Sequence, residues 1–173
     1  NAAGCGSTMK EYGHLLHDDP AWAARAQAFA AKVRDITEVL AALPARAPRH
    51  ALAARVAYHD ACHLAHGQKV RQAPRDLLAA VPGVEVVAIG ESEVCCGSAG
   101  IFNLVQPEMA ASLGQRKAGH IAATGADIVV TSNPGCILQI RAAQTPAQAR
   151  PVVHIIELLD ASIRGTDLAS LAR

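Results

Sequence analysis

Two adjacent cysteines, Cys95 and Cys96, followed by Gly97, are the residues of this chain whose chemistry is most specific. A disulfide between neighbouring residues would close a strained ring, and packing gives no reason for two buried thiols side by side. Two thiolates in one short loop can instead bind a single metal site. Two more cysteines flank the pair at long range, Cys62 before it and Cys136 after it. These four cysteines are therefore candidate ligands of one metal centre.

The wide spacing of the cysteines bears on which metal they bind. Thiolates select zinc, copper(I) and iron–sulfur clusters. Structural zinc sites commonly use paired C-x-x-C segments, which this sequence lacks, and ferredoxins use a compact run of cysteines. A cluster is larger and tolerates ligands from separate loops, and Gly97 and Gly100 would let the backbone approach its sulfurs. The spacing favours an iron–sulfur cluster and keeps zinc as the alternative.

Three histidines, His59, His63 and His66, lie around Cys62 at a spacing compatible with zinc ligands on one helical face. A histidine in such a position is more often hydrogen-bonded or solvent-facing than a metal ligand, so zinc ligation by these histidines is the less favoured interpretation. Asp60 is interpreted as the N-cap of a helix with Cys62 in its first turn. The helix dipole would then stabilise the Cys62 thiolate.

Composition limits the classes of partner and compartment. The chain has 173 residues and a formal net charge of +1, and it lacks the basic stretches with interleaved aromatics that are typical of nucleic-acid binding. No apolar run reaches the ~18–20 residues that a transmembrane helix needs. Five cysteines, an odd number, fit a reducing compartment better than a disulfide framework. We expect a cytoplasmic protein that can lie peripherally at the inner face of the cell membrane.

The candidate ligands must be positioned by an alternation of strands and helices. Strands are predicted at 54–58, 84–89, 128–131 and 152–155. Helical segments are predicted at 60–70, 74–81, near Phe102, at 108–124 and at 137–143, with a last helix at the C-terminus. This alternation predicts an α/β fold, a parallel sheet with helices on both faces.

The strand assignment places all four cysteines at one edge of the sheet. Cys62 follows the first strand, Cys95 and Cys96 follow the second, and Cys136 follows the third. Ligands of open parallel sheets bind beyond the carboxyl ends of the strands. We therefore expect the cysteine ligands on loops at the C-terminal strand edge, with their sulfurs close together.

The N-terminal region has a different character. The Thr8 and Glu11 pair has the spacing of a capping box, which predicts a short helix to about Leu16. A longer helix is predicted from the acidic Asp18-Asp19-Pro20 segment to about Leu43, with an apolar stripe that includes Trp22, Phe29, Val33, Ile36 and Leu40. The proline-rich stretch 44–48 ends this helix and is the best domain boundary.

The first five residues are Asn-Ala-Ala-Gly-Cys, and they are similar to the Asn-Pro-Gly-Cys segment that ends at Cys136. We interpret this as an internal repeat whose first copy is represented only by its last ligand loop. Residues 1–47 are then the end of the first copy with linking helices, and residues 48–173 are the complete second copy. Cys5 is a candidate metal ligand of the first copy.

Three segments of the sequence together resemble a known family, the cysteine-rich "CCG" domain. They are residues 59–64, which run His-Asp-Ala-Cys-His-Leu, residues 95–100, which run Cys-Cys-Gly-Ser-Ala-Gly, and residues 133–136, which run Asn-Pro-Gly-Cys. The family includes heterodisulfide reductase subunits, lactate-utilisation proteins and the iron–sulfur subunits of glycolate oxidases. The sequences of residues 62–71 and 101–109 and of Arg116-Lys117 are most similar to those of the glycolate oxidase subunits.

The resemblance implies a duplicated domain and an electron-transfer function. A [4Fe–4S] cluster would be bound by Cys62, Cys95, Cys96 and Cys136, with Gly97 shaping the loop. A flavin-containing partner would oxidise glycolate to glyoxylate, and electrons would pass through the cluster to a quinone or other acceptor. A heterodisulfide-reductase-like or lactate-utilisation oxidoreductase and a zinc-binding assembly module remain alternatives. The family pattern ends in C-x-x-C, and Asn133 stands at the first of those positions, which counts against five-thiol binding.

Overall fold

The computed structural model of the protein describes residues 1–171 and contains a parallel β-sheet. Its strands are β1 (Ala54–Tyr58), β2 (Val84–Val87), β3 (Ile128–Thr131) and β4 (Val152–His154). Their spatial order is β2-β1-β3-β4, and each neighbouring pair is parallel. The α/β prediction is confirmed, and only the ends of β2 and β4 fall short of their predicted bounds.

The helices of the described residues precede and connect the strands. They are α1 (Ala3–Lys10), α2 (Tyr12–Leu15), α3 (Ala23–Ala30), α4 (Ile36–Ala42), α5 (Gln72–Ala79), α6 (Phe102–Val105), α7 (Pro107–Ala123), α8 (Pro134–Ala143) and α9 (Ile155–Arg164). A single π-helical turn lies at His63–Gly67 and a short 3-10 turn at Leu168–Leu171. None of these helices is both long and apolar enough to cross a membrane.

The sheet carries an apolar core on each face, because successive side chains of a strand point to opposite sides. Val56 of β1 belongs to one core, which α5 and α9 cover with residues such as Leu78 and Leu158. Ala57 belongs to the other core, which contains Ile121 of α7 and residues of α8. Helices therefore cover both faces, as the sequence predicts.

The predicted long helix from Asp18 to Leu43 is wrong. The chain forms α3 and α4 instead, and residues 31–35, which end in the extended residue Asp35, separate them. The Asp35 carboxylate accepts a hydrogen bond from the Thr37 N–H at 2.9 Å, and the Glu38 side chain accepts one from the Asp35 N–H at 2.8 Å. This capping box starts a new helix and outweighs the helical periodicity that runs through the break.

The prediction of a capping box at Thr8 is also wrong, because the Thr8 hydroxyl donates to the Gly4 carbonyl inside α1.

The predicted helix at 60–70 is reduced to the π-helical turn. Asp60 is not a helix cap, because its carboxylate accepts two hydrogen bonds from Arg75 of α5, at 2.9 Å and 2.6 Å. The Arg75 guanidinium also lies over the Tyr58 ring, 5.3 Å from its centroid. This ion pair ties the end of β1 to α5 and holds the loop that carries Cys62.

Candidate metal centre

The predicted ligand loops meet at the carboxyl ends of β1, β2 and β3. A cavity of about 640 Å³ opens there, and the cysteines that line it are Cys5, Cys62, Cys95 and Cys136. Cys96 is buried beside the cavity, where it packs in the same apolar core as Cys136. The structure thus brings the four predicted cysteines to one sheet edge. It also places Cys5 on the same cavity, where the sequence interpretation had assigned it to a separate site.

The Cys95-Cys96-Gly97 loop has a backbone conformation that requires glycine. Gly97 has a φ of +92°, and a Cβ atom at this position would overlap the carbonyl oxygen of Ala110 in α7. The Gly97 N–H donates to the Sγ of Cys95 at 3.3 Å. Gly97 therefore lets the loop pass close to α7 and supplies a donor to one of the sulfurs.

Lys117, in α7, binds the segment of chain that leads into this loop. Its side chain is buried, with 1% of its surface exposed, and its ammonium group donates to the backbone carbonyl oxygens of Glu91 and Ser92. Lys117 was not among the site residues predicted from the sequence. A signal was present, since Lys117 falls on the buried stripe of α7 between Gly114 and Ile121 at helical spacing.

Cys136 lies in the first turn of α8, after Pro134 at the start of the helix and Asn133 at its N-cap. The amide of Asn133 donates to the Sγ of Cys136 at 3.4 Å. Its carbonyl oxygen accepts the Gly4 N–H at 3.3 Å. Asn133 therefore joins the Cys136 sulfur to the N-terminal helix that carries Cys5.

The thiols interact with one another electrostatically. Hydrogen bonds from Cys62 and Cys96 lower the pKa of Cys95 to about 2, with a further contribution from the Gly97 N–H. Hydrogen bonding to Cys96 lowers the pKa of Cys136 to about 5. The pKa values of Cys62 and Cys96 rise in return, first because of these sulfur neighbours and then because of burial. The neighbouring sulfurs therefore outweigh the helix-dipole effect that we expected at Cys62.

The histidines near Cys62 do not form the zinc group that their spacing allowed. The side chain of His66 is exposed and lies 3.0 Å from Arg71. His63 lies beside Cys62, with its Nδ1 3.6 Å from the Cys62 sulfur. His59 is buried, and one of its ring nitrogens and the sulfurs of Cys96 and Cys136 all lie within 4.8 Å of one another. Sequence spacing alone could not reveal this contact, because it joins loops that follow different strands.

The donor set fits an iron–sulfur cluster. Four thiols converge on one edge, and N–H groups of Gly97 and Asn133 already point at two of the sulfurs. Such donors to sulfur are a regular feature of cluster sites. Among residues 1–171, neither ring nitrogen of His59 has a hydrogen-bond partner, and one of them lies near the sulfurs of Cys96 and Cys136, so further hydrogen-bonding capacity is available there.

Comparison with known proteins gives a consistent result. A family model described as a cysteine-rich domain, CCG, matches residues 56–141. The probable glycolate oxidase iron-sulfur subunit of Bacillus subtilis (strain 168) is 42% identical over 143 residues, which are 82% of this chain and 32% of that protein. Lactate utilization protein A of Lysinibacillus sphaericus (strain C3-41) is 31% identical over 159 residues, 90% of this chain and 69% of that protein. The chain thus spans about a third of the length of the former relative and about two thirds of the latter.

Proposed function

Because the chain belongs to the cysteine-rich (CCG) domain family, we propose that it is part of an iron–sulfur electron-transfer subunit of an oxidoreductase. Cys62, Cys95, Cys96 and Cys136 would hold a [4Fe–4S] cluster, a type that four thiolates bind. The observation that carries the proposal is the convergence of these cysteines at the strand ends, beside a cavity. The names of two relatives point the same way, as iron–sulfur proteins.

The residues around the cysteines would keep such a cluster in place and tune it. Gly97 and Asn133 would donate hydrogen bonds to sulfur, which stabilises negative charge there. Lys117 would hold the loop before Cys95 and place a cation near the thiolates. When bound, the cluster would carry electrons one at a time between a donor and an acceptor.

We further propose that the electrons come from a flavin-containing partner that oxidises glycolate to glyoxylate. The support is the 42% identity to a probable glycolate oxidase iron-sulfur subunit. A quinone-type molecule would be the acceptor, at the cytoplasmic face of the cell membrane. The similarity to lactate utilization protein A keeps another 2-hydroxy acid as the rival substrate. Substrate oxidation belongs to the partner in either case, so no residue described here would contact glycolate.

We also propose a role for the first copy of the repeat, to which Cys5 belongs. We assign residues 1–47 to the end of that copy and Cys5 to its ligand set, with residues 48–173 as the second copy. Backbone contacts hold the two parts together, since the Ala3 N–H donates to the Ser132 carbonyl at 3.1 Å. Cys5 and the second-copy cysteines would then face each other across the cavity.

Anaerobic reconstitution with iron and sulfide, followed by electron paramagnetic resonance of the reduced protein, tests the cluster. We expect a reduced-cluster signal and about four irons per site. Cys96→Ser should lose both, whereas His66→Gln, which changes an exposed side chain of the same region, should lose neither.

A second candidate is a zinc site, which the proximity of His59, Cys96 and Cys136 favours. Stoichiometric zinc with no signal would overturn the electron-transfer proposal in favour of that site.

A further inference from the structure

His59 occupies an unusual position directly after β1. Its backbone N–H donates to the Val130 carbonyl at 2.8 Å, so the residue is fixed by the sheet itself. Only 1% of its surface is exposed. Within residues 1–171, neither ring nitrogen has a hydrogen-bond partner. Buried polar groups in folded proteins are nearly always paired, so this imidazole requires an explanation.

The surroundings of the His59 ring supply one. A ring nitrogen lies within 4.8 Å of the sulfurs of Cys96 and Cys136, and both cysteines are as deeply buried as His59. A neutral imidazole carries one N–H donor and one acceptor nitrogen. A thiolate bound to iron is an acceptor, so the N–H group would find its partner when the cysteines act as ligands.

We infer that His59 is a positioning residue of the metal centre, whose ring N–H donates to a ligand sulfur beside it, that of Cys96 or of Cys136. This inference rests on the proposed iron–sulfur function. Four thiols already complete the ligand set of an ordinary cluster, so His59 acts as a donor and not as a ligand. The Asn133 amide already donates to the sulfur of Cys136, so His59 would add a further donor to this pair of sulfurs.

A hydrogen bond to a ligand sulfur stabilises the more negative, reduced state of a cluster and raises its reduction potential. His59 would therefore set the potential without touching a substrate. His59 should also affect the stability of the metal-free protein. There the unpartnered ring nitrogens cost free energy, so an apolar residue of similar size should not lower the stability of that form.

The test compares His59→Leu, His59→Gln and the exposed control His66→Gln in the reconstituted protein. Redox titration followed by electron paramagnetic resonance should give a lower midpoint potential for His59→Leu at unchanged iron content. His59→Gln keeps an N–H donor, so its shift should be smaller, and His66→Gln should show none. Urea unfolding of the metal-free His59→Leu protein should occur at the same or a higher midpoint than for the wild type.

The possible failures are distinguishable. An unshifted potential in a fully loaded His59→Leu protein would overturn the inference alone. Loss of iron from a folded His59→Leu protein would show that His59 is a ligand, and this also overturns the donor assignment. A wild-type protein that takes up no cluster would overturn the proposed function and the inference together.

Discussion

The ammonium group of Lys117, in α7, lies 2.6 Å from the backbone carbonyl oxygen of Glu91, in the loop that leads to Cys95. A second carbonyl, that of Ser92, lies 3.4 Å from the same group. Burial lowers the pKa of Lys117, and the nearby thiols Cys96 and Cys95 oppose that shift. A buried cation thus braces the ligand loop from the neighbouring helix.

Lys117→Met should destabilise the metal-free protein by about 1.5–3 kcal/mol, because it removes charged hydrogen bonds and leaves buried carbonyl oxygens unpaired. Urea unfolding measures the change. Arg116→Gln is the matched control, since Arg116 is the exposed neighbour that pairs with the Glu91 side chain. An exposed pair contributes less than about 1 kcal/mol, so equal losses in the two variants would contradict the bracing role.

Gly97→Ala should misplace Cys96 and sharply reduce cluster retention. The alanine Cβ would overlap the Ala110 carbonyl, and it would also add the left-handed strain of about 1–2 kcal/mol. Gly100→Ala separates the two effects, because Gly100 has a φ of +63° but, in the part of the chain that the structure describes, no atom within 4 Å of a Cβ. Iron analysis after anaerobic gel filtration is the measurement. If both variants retained iron equally, close approach of the loop to α7 would not matter.

The metal-free protein should have a thiolate at Cys95 even in mild acid. An ordinary cysteine has a pKa of roughly 8.5 and is only about a thousandth ionised at pH 5.5. Because the pKa of Cys95 is lowered to about 2, its alkylation rate should change little between pH 5.5 and 8. Mass spectrometry of iodoacetamide-treated protein measures this rate. In urea the same residue should regain the steep pH dependence of an ordinary thiol, and a steep dependence in the folded protein would refute the prediction.

The strands and the ligand loops could be predicted from the sequence because both depend on local patterns. The apolar runs at β1 and β3 are typical of buried strands, and Cys62, Cys95 and Cys136 each come between the end of one strand and the start of the next. The break between α3 and α4 and the burial of individual polar side chains could not be predicted in the same way. The Asp35 capping box competes with a helical pattern of similar strength, and the pairing of Asp60 with Arg75 requires the folded chain. The contacts of His59 and Lys117 are tertiary, and neither residue type ordinarily predicts burial.

Cys62→Ser in the assembled complex should abolish glycolate-dependent reduction of a quinone analogue. Reduction of the flavin by glycolate should survive, since the proposed function assigns that half-reaction to the partner. Stopped-flow absorbance follows the flavin, and steady-state assays follow the quinone analogue. His66→Gln should leave both unchanged. Loss of flavin reduction in Cys62→Ser would indicate that the cysteine supports assembly of the complex.

The order of the ligands along the chain has a consequence for how the protein is made. Of the four ligands proposed for the second copy, Cys62 leaves the ribosome first during synthesis and Cys136 last, and β3, which pairs with β1, is made just before Cys136. Parallel pairing of segments distant in sequence is slow. Three thiols therefore wait unprotected in the nascent chain until the fourth arrives. If the proposed centre forms, a reducing environment would protect the thiols at this stage of biogenesis as well as in the folded protein.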